Sequence, residues 1–220
     1  MDTCFAANIG RVSYADALKL QHAFHKLCAS GDIPGVLMLV EHEPVITMGV
    51  RTKPGNVLAD LDSLRAQGIE LVKTDRGGDV TYHGPGQLVG YPIVRIREYG
   101  GDLHGYLRSI EETVIRTLAE FGLAGVRNGP AGVWVGERKV CSIGVAVRKW
   151  TSYHGFALNV DPIMSHFGLI NPCGLDSSRV TSMSDLLGAP PAMDDVRRAC
   201  QRSFEEVFGV RLVPWTGDLP

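Results

Sequence analysis

With 220 residues, 45% of them hydrophobic, the chain is long enough to build the core of one ordinary to large domain, and no second domain is required. A formal charge of -2 gives no global attraction to nucleic acid or an anionic membrane, and no basic stripe with interleaved aromatic residues supplies one locally. The N-terminus lacks a basic segment followed by an apolar one, and no apolar run approaches ~18 residues, so the expectation is a soluble, unexported, cytoplasmic protein with no membrane partner.

In chain order, Ser13 opens a helix of about four turns, with Ala17, Leu18, Phe24, Leu27 and Cys28 at helical spacing and Gly31 where a C-terminal cap falls. Residues 36–40 read as a strand bounded by Pro34 and Gly35 and feeding the polar turn before Pro44, and residues 45–50 continue as irregular strand. A short helix is expected over 58–67 and a strand over 69–74. Residues 88–96 alternate imperfectly, and Pro92 places them at a sheet edge or bulge. The clearest helix runs from Asp102 or Leu103 to Phe121, with Leu103, Leu107, Ile110, Val114, Leu118 and Phe121 opposite Arg108, Glu111, Glu112 and Arg116. Strand-like pieces at 132–135, 139–147 and 154–160 predict two hairpins. Residues 159–179 read as loop, and an amphipathic helix over 193–208 closes the chain. Strands and hairpins mixed with helices predict a single α+β domain, residues 1–220, with a mixed β-sheet flanked by helices.

The run Arg76-Gly-Gly-Asp-Val-Thr-Tyr-His-Gly-Pro-Gly-Gln87 sets a cation, an imidazole, a phenol and an amide among five glycine or proline residues. Glycine permits close backbone approach to a ligand and proline fixes φ, so the run reads as a site loop rather than a core strand.

Cys4, Cys28, Cys141, Cys173 and Cys200 are odd in number and scattered, with no C-x-x-C pair, which argues against a disulfide framework or structural zinc. Cys28 and Cys200 sit inside apolar periodic segments, as core thiols do, but Cys173 lies between a proline and a glycine on an expected loop. An ordinary thiol is only about 3% thiolate at neutral pH, so a nucleophile there needs help. Lys139, at the head of a strand-like run, is a candidate cation. Lowering the thiol pKa by about two units would raise the thiolate fraction to roughly three-quarters. A Cys173–His83 pair is the alternative, and a buried structural histidine or an exposed strand-end lysine are the plain readings. A zinc site from His83, Cys141, Cys173 and His154 has no supporting spacing, and neither a Walker loop nor a dinucleotide fingerprint is present.

Taken together, the run from Arg76 to Leu88 with Tyr91, Lys139 before Ser142-Ile-Gly144, His154-Gly-Phe-Ala-Leu-Asn159, and Asn171-Pro-Cys-Gly174 resemble the lipoyl(octanoyl) transferases of the biotin/lipoyl protein ligase superfamily. The resemblance implies a biotin/lipoyl-ligase-like fold and transfer of an octanoyl group from octanoyl-acyl carrier protein, through a thioester on Cys173, to a lysine of a lipoyl domain. It implies Lys139 as the group that lowers the thiol pKa and moves protons. It further implies that Arg76, Gly77, Gly78, Asp79, Val80, Thr81, Tyr82, His83, Ser142, Ile143, Gly144, Gly155, Phe156 and Ala157 line the acyl site, with no metal or cofactor. Lipoyl domains of 2-oxoacid dehydrogenases and the glycine cleavage H protein are the implied acceptors.

An apolar slot for eight carbons would contribute about 5 kcal/mol at ~0.8 kcal/mol per buried CH₂. Two positions depart from the family pattern or carry no signal in it: Cys141 stands where a small residue such as Ala is expected, and Asp79 falls at a variable position. An ATP-dependent lipoate or biotin ligase shares the fold but needs no cysteine, and the biotin ligases' Gly-Arg-Gly-Arg signature is missing here. A non-catalytic acyl- or carrier-binding module would bind without turnover.

Overall fold

A computed structural model describes residues 2–129, 131–171 and 177–220. The elements in order are β1 (Asp2–Val12), α1 (Tyr14–Ser30), β2 (Gly35–His42), β3 (Val45–Met48), α2 (Leu61–Ala66), β4 (Glu70–Lys73), β5 (Val80–His83), β6 (Gln87–Val94), α3 (Leu103–Ala119), β7 (Gly125–Val126), β8 (Gly132–Val135), β9 (Arg138–Arg148), β10 (Thr151–Asn159), α4 (Met183–Leu187), α5 (Met193–Phe208) and β11 (Val210–Pro214). Eight strands form one sheet in the order β11-β1-β2-β6-β10-β9-β8-β7, and β4-β3-β5 form a second. β1 runs parallel to β2 and β11 while the other pairs of the large sheet are antiparallel, so the sheet is mixed, as expected for this α+β domain.

The two periodicities of the chain build the layers. Successive side chains of a strand face opposite sides. Val36, Met38 and Val40 therefore meet Ala17, Phe24 and Cys28 of α1 on one face, with Val89, Tyr91 and Ile93 of β6 beside them. Leu37 and Leu39 face the other way, toward Ile110, Val114 and Leu118 of α3 and Val196, Cys200 and Phe204 of α5. Burial on both faces accounts for the unbroken apolar run of β2. Ser13 caps α1 by accepting the Asp16 amide and Gly31 closes it in the left-handed conformation; Asp102 caps α3 by accepting the amides of His104 and Gly105.

Three expectations are corrected. First, the 76–87 run is not all loop: Val80–His83 form β5, which pairs antiparallel with β3. Val80 and Tyr82 are buried with Ile46, Leu64, Ile69 and Phe167, so an apolar face does repay the ordering of this segment. Second, the chain does not close at 208, because β11 follows and pairs with β1, itself outside the expected elements. Third, Pro92 lies in β6, a central strand between β2 and β10.

Local chemistry makes the third case possible. Register on either side, Gly90 with Phe156 and Arg95 with Thr151, leaves His154 opposite Pro92. Pro92 has no amide hydrogen, and its carbonyl accepts from Ser152 Oγ of β10 and from Tyr106 Oη of α3 at 2.8 Å each. Ser152 Oγ also accepts the Val94 amide at 3.0 Å, and His154, at φ 56, turns its own amide to Gln21 Oε1 at 2.9 Å. Side chains thus satisfy the Pro92 carbonyl and the Val94 and His154 amides where the ladder is interrupted.

Ser152→Ala should therefore lower stability by about 1–3 kcal/mol, since it leaves the Val94 amide buried without its acceptor. Urea unfolding checks this, and an unchanged midpoint would show that the serine does not substitute for the ladder.

Candidate active site

A cleft lies between the small sheet and the β9–β10 end of the large one. Its first wall is the glycine-rich segment before β5. Arg76 is buried, with Nη2 donating to Thr47 O at 2.8 Å and Thr47 Oγ1 at 2.9 Å, and Nη1 to Gly77 O at 3.1 Å. The guanidinium is therefore fixed to β3 rather than solvated. Gly77 donates its amide to Val145 O of β9 at 2.8 Å, joining the two sheets. That approach requires glycine opposite: a Cβ on Gly144 would stand 2.7 Å from Gly77 O. Asp79 accepts the Val80 amide at 2.7 Å and Asn56 Nδ2, which ties the loop after β3 to the same wall.

Arg76, Gly78, Asp79, Val80, Thr81 and His83 all line the cleft. Gly77 and Tyr82 stand behind it. Gly77 is the joint to β9, and Tyr82 packs edge-on against Phe167 with its hydroxyl 2.8 Å from His166 Nδ1. The opposite wall carries Ser142, Ile143 and Gly144 of β9 and Gly155, Phe156 and Ala157 of β10, brought together because Ser142 pairs with Ala157 and Gly144 with Gly155.

Two buried imidazoles, His83 and His154, line the floor, and a third, His42, lies behind it against Tyr91 and His83. Gln87 Nε2 donates to Tyr82 O and Asn159 Oδ1, so its Oε1 faces His83 Nδ1 at 3.1 Å; Nδ1 carries the proton and Nε2 is left as an acceptor. The His83 ring stacks parallel to Tyr14, 6.3 Å between centroids. His42 donates from Nδ1 to Val12 O at 3.2 Å and accepts the Tyr91 hydroxyl at Nε2 at 2.6 Å. His154 donates to Asp75, which also accepts the Tyr153 hydroxyl.

Burial pushes His42 down to about 4 and His83 well below the ordinary value, the neighbouring His42 and Arg76 adding to it for His83. Burial also lowers His154, against the pull of Asp75. Burial alone would raise Asp75, but the bonds from His154 and Tyr153 outweigh it and hold the carboxyl below its usual range. At neutral pH the floor is therefore uncharged imidazole and phenol around one buried guanidinium.

Lys139 lines the cleft from β9, half-buried, with Nζ donating to Ala131 O at 2.9 Å. Cys173 lies outside the described residues. Of the described residues to either side of it, Val180 lines the cleft and bridges to Lys139, and the Asn171 amide donates to Asn56 O at 2.8 Å. Cys141 is buried in the core of the other face, and Cys4, Cys28 and Cys200 are buried and free as well. Among the described residues no group of three or more His, Cys, Asp or Glu is placed to hold a metal ion, and no helix is long and apolar enough to cross a membrane.

Tyr14, Arg51, Val89, Phe167 and Val180 also line the cleft and were not among the expected residues. Tyr14 and Val89 lie on the buried faces of their elements, so periodicity assigns them to core. They border the cleft only because the small sheet stands off the large one.

The lipoyl protein ligase A/B catalytic domain family matches residues 13–205. Proteins named octanoyltransferase are similar over most of the chain. That of Nitratidesulfovibrio vulgaris is 45% identical over 91% of this chain and 93% of its own, and that of Solibacter usitatus 43% identical over 97% of each. Among solved structures, a lipoate-protein ligase A bound with ATP superposes with a TM-score of 0.79 at 20% identity, covering 98% of this chain and 90% of that one. The biotin protein ligase of Aquifex aeolicus superposes with a TM-score of 0.53 at 12% identity, covering 95% and 70%. At such identities these two show the fold alone.

The buried imidazoles make stability depend on pH. His42 stays neutral in the folded protein to about pH 4, whereas the unfolded chain takes up a proton below about 6.5, so stability is complete above that value and falls as pH drops through the window. The loss should be on the order of 2 kcal/mol by pH 5, with His83 and His154 acting in the same direction. Urea midpoints at pH 7 and 5 should differ less in His42→Gln than in the parent protein; equal differences would exclude His42 as a contributor.

Proposed function

Because the chain belongs to the octanoyltransferases of the lipoyl protein ligase A/B catalytic domain family, we propose that this cleft moves an octanoyl group from a thioester on acyl carrier protein to a lysine of a lipoyl domain, through a thioester on Cys173. The observation that carries the reading is convergence. Lys139, the Arg76–His83 segment, Ser142 to Gly144 and Gly155 to Ala157 are remote in sequence and come together around one cleft, where Val180 bridges to Lys139.

In the first half-reaction the Cys173 thiolate attacks the thioester carbonyl. The new C–S bond forms as the bond to the carrier sulfur breaks, and the departing thiolate takes a proton from the Lys139 ammonium. In the second, the amine of the acceptor lysine attacks the enzyme thioester. The amide C–N bond forms, the C–S bond to Cys173 breaks, and the amine's proton passes to the now neutral Lys139, restoring the thiolate–ammonium pair. Exchange of one thioester for another is near balance and thioester to amide runs downhill, so no nucleotide enters. Backbone amides of the glycine-containing walls would stabilise each oxyanion. The uncharged floor at Val89, Tyr91 and Ala157 suits an alkyl chain better than a charged group. Lipoyl domains of 2-oxoacid dehydrogenases and the glycine cleavage H protein are the acceptors to test.

The test is intact mass after incubation with octanoyl-carrier protein in the absence of nucleotide. The parent protein should gain one octanoyl group and pass it to a lipoyl domain; Cys173→Ala should gain none, and Lys139→Ala should acylate at least tenfold more slowly. An adduct that survives Cys173→Ala, or an amide product that forms only when ATP is added, would overturn the assignment.

A further inference from the structure

The backbone of Lys139 belongs to β9, but its ammonium is held from another segment. Nζ donates to Ala131 O and lies 5.7 Å from the centre of the Trp134 ring. The side chain passes over Gly132, where a Cβ would stand 2.5 Å from Lys139 Cε and overlap Cys141 O; at φ 143, moreover, a side chain is strained whatever the space. Residues 131 and 132 are thus the seat of the lysine.

That seat is tied to α3 through one carboxylate. The Gly132 amide donates to Glu111 Oε1 at 3.4 Å, while Oε2 accepts Arg127 Nε at 3.1 Å and Arg108 Nη1 at 3.0 Å. Arg127 is fixed in turn by Glu112 at 2.7 Å and by Arg108 O at 3.2 Å. Glu111 is only 6% exposed, next to Ile110 in a helix that packs on the core. A buried carboxylate is unfavourable unless it is paired and hydrogen-bonded, and this one is, to the two residues that bound the segment carrying Ala131.

We propose that Glu111 is a positioning residue for Lys139, gripping Arg127 and Gly132 so that the Ala131 carbonyl holds the ammonium where the thiol is to be ionised. The inference rests on the reading of Lys139 as the cation beside Cys173. Coulomb stabilisation of a thiolate falls with distance, so a seat that shifts lets the thiol pKa rise toward its ordinary value without removing the lysine.

The measurement is the pH-dependence of iodoacetamide alkylation at Cys173, located by peptide mass, in the full chain and in Lys139→Ala, Glu111→Gln and Gly132→Ala. Lys139→Ala should move the midpoint to higher pH. Glu111→Gln and Gly132→Ala should move it part of the way, lowering the rate at pH 7 about five- to tenfold, with a matching fall in kcat and little change in KM. Should Glu111→Gln fail to fold, Arg127→Lys is read in the same way. If Lys139→Ala shifts the profile while Glu111→Gln and Arg127→Lys superimpose on the parent, the inference fails and the reading of Lys139 stands. If Lys139→Ala superimposes as well, that reading falls and the inference with it. A lowered melting temperature with an unshifted profile counts as structural support only, and against positioning.

Discussion

The cleft exists because a loop takes the place of a strand beside β9. β8 pairs with β9 from Val135 at one end to Gly132, opposite Ser142, at the other, and beyond that point the Gly77 amide donates to Val145 O. An unpaired sheet edge is a row of donors and acceptors that must be satisfied. Here the small sheet supplies a partner through the segment that carries Arg76, and Arg76 is bound on its other side to Thr47 of β3. One hydrogen-bonded joint and one buried guanidinium thus fix the spacing between the two sheets, and the space left between them is the site.

Given that joint, the chemistry of the floor follows from burial. His42, His83 and His154 are held neutral chiefly by burial, with Arg76 adding to it for His83 and His154, and each ring's tautomer is set by an oxygen: Val12 O, Gln87 Oε1 and the Asp75 carboxylate. Cations at the site therefore come from arginine and lysine alone among the described residues lining it. Arg76 is committed to backbone and threonine oxygens of the small sheet, whereas Lys139 rests on a seat contributed by residues 131 and 132 and tied to α3. The two charges are thereby held from opposite walls by different elements of the fold.

Octanoyltransferases share this scaffold with proteins described as lipoate and biotin ligases, as the superpositions show. Fold alone does not separate them. Identity above 40% to octanoyltransferases over most of the chain is therefore informative where a high TM-score at 20% identity is not.

Residues 13–31, 102–121 and 193–208 announced their helices because local signals agree there: a capping side chain or acidic first turn, an apolar stripe at helical spacing, and in two cases a glycine stop. The hairpins of β8, β9 and β10 were equally legible, since a two-residue turn between alternating runs is a local event. β1 and β11 were not, because each pairs in parallel with a strand remote in sequence and neither carries a turn to mark it. Pro92 misleads because the groups around the interrupted ladder are satisfied by Ser152, Tyr106 and Gln21, which meet there only after folding. Composition and motif order by themselves determined the fold class, the motif residues and the family; which of those residues face the cleft, which stand behind it, and what holds Lys139 in place were decided by the meeting of two sheets and a helix, because contact between remote segments depends on packing that no local pattern encodes.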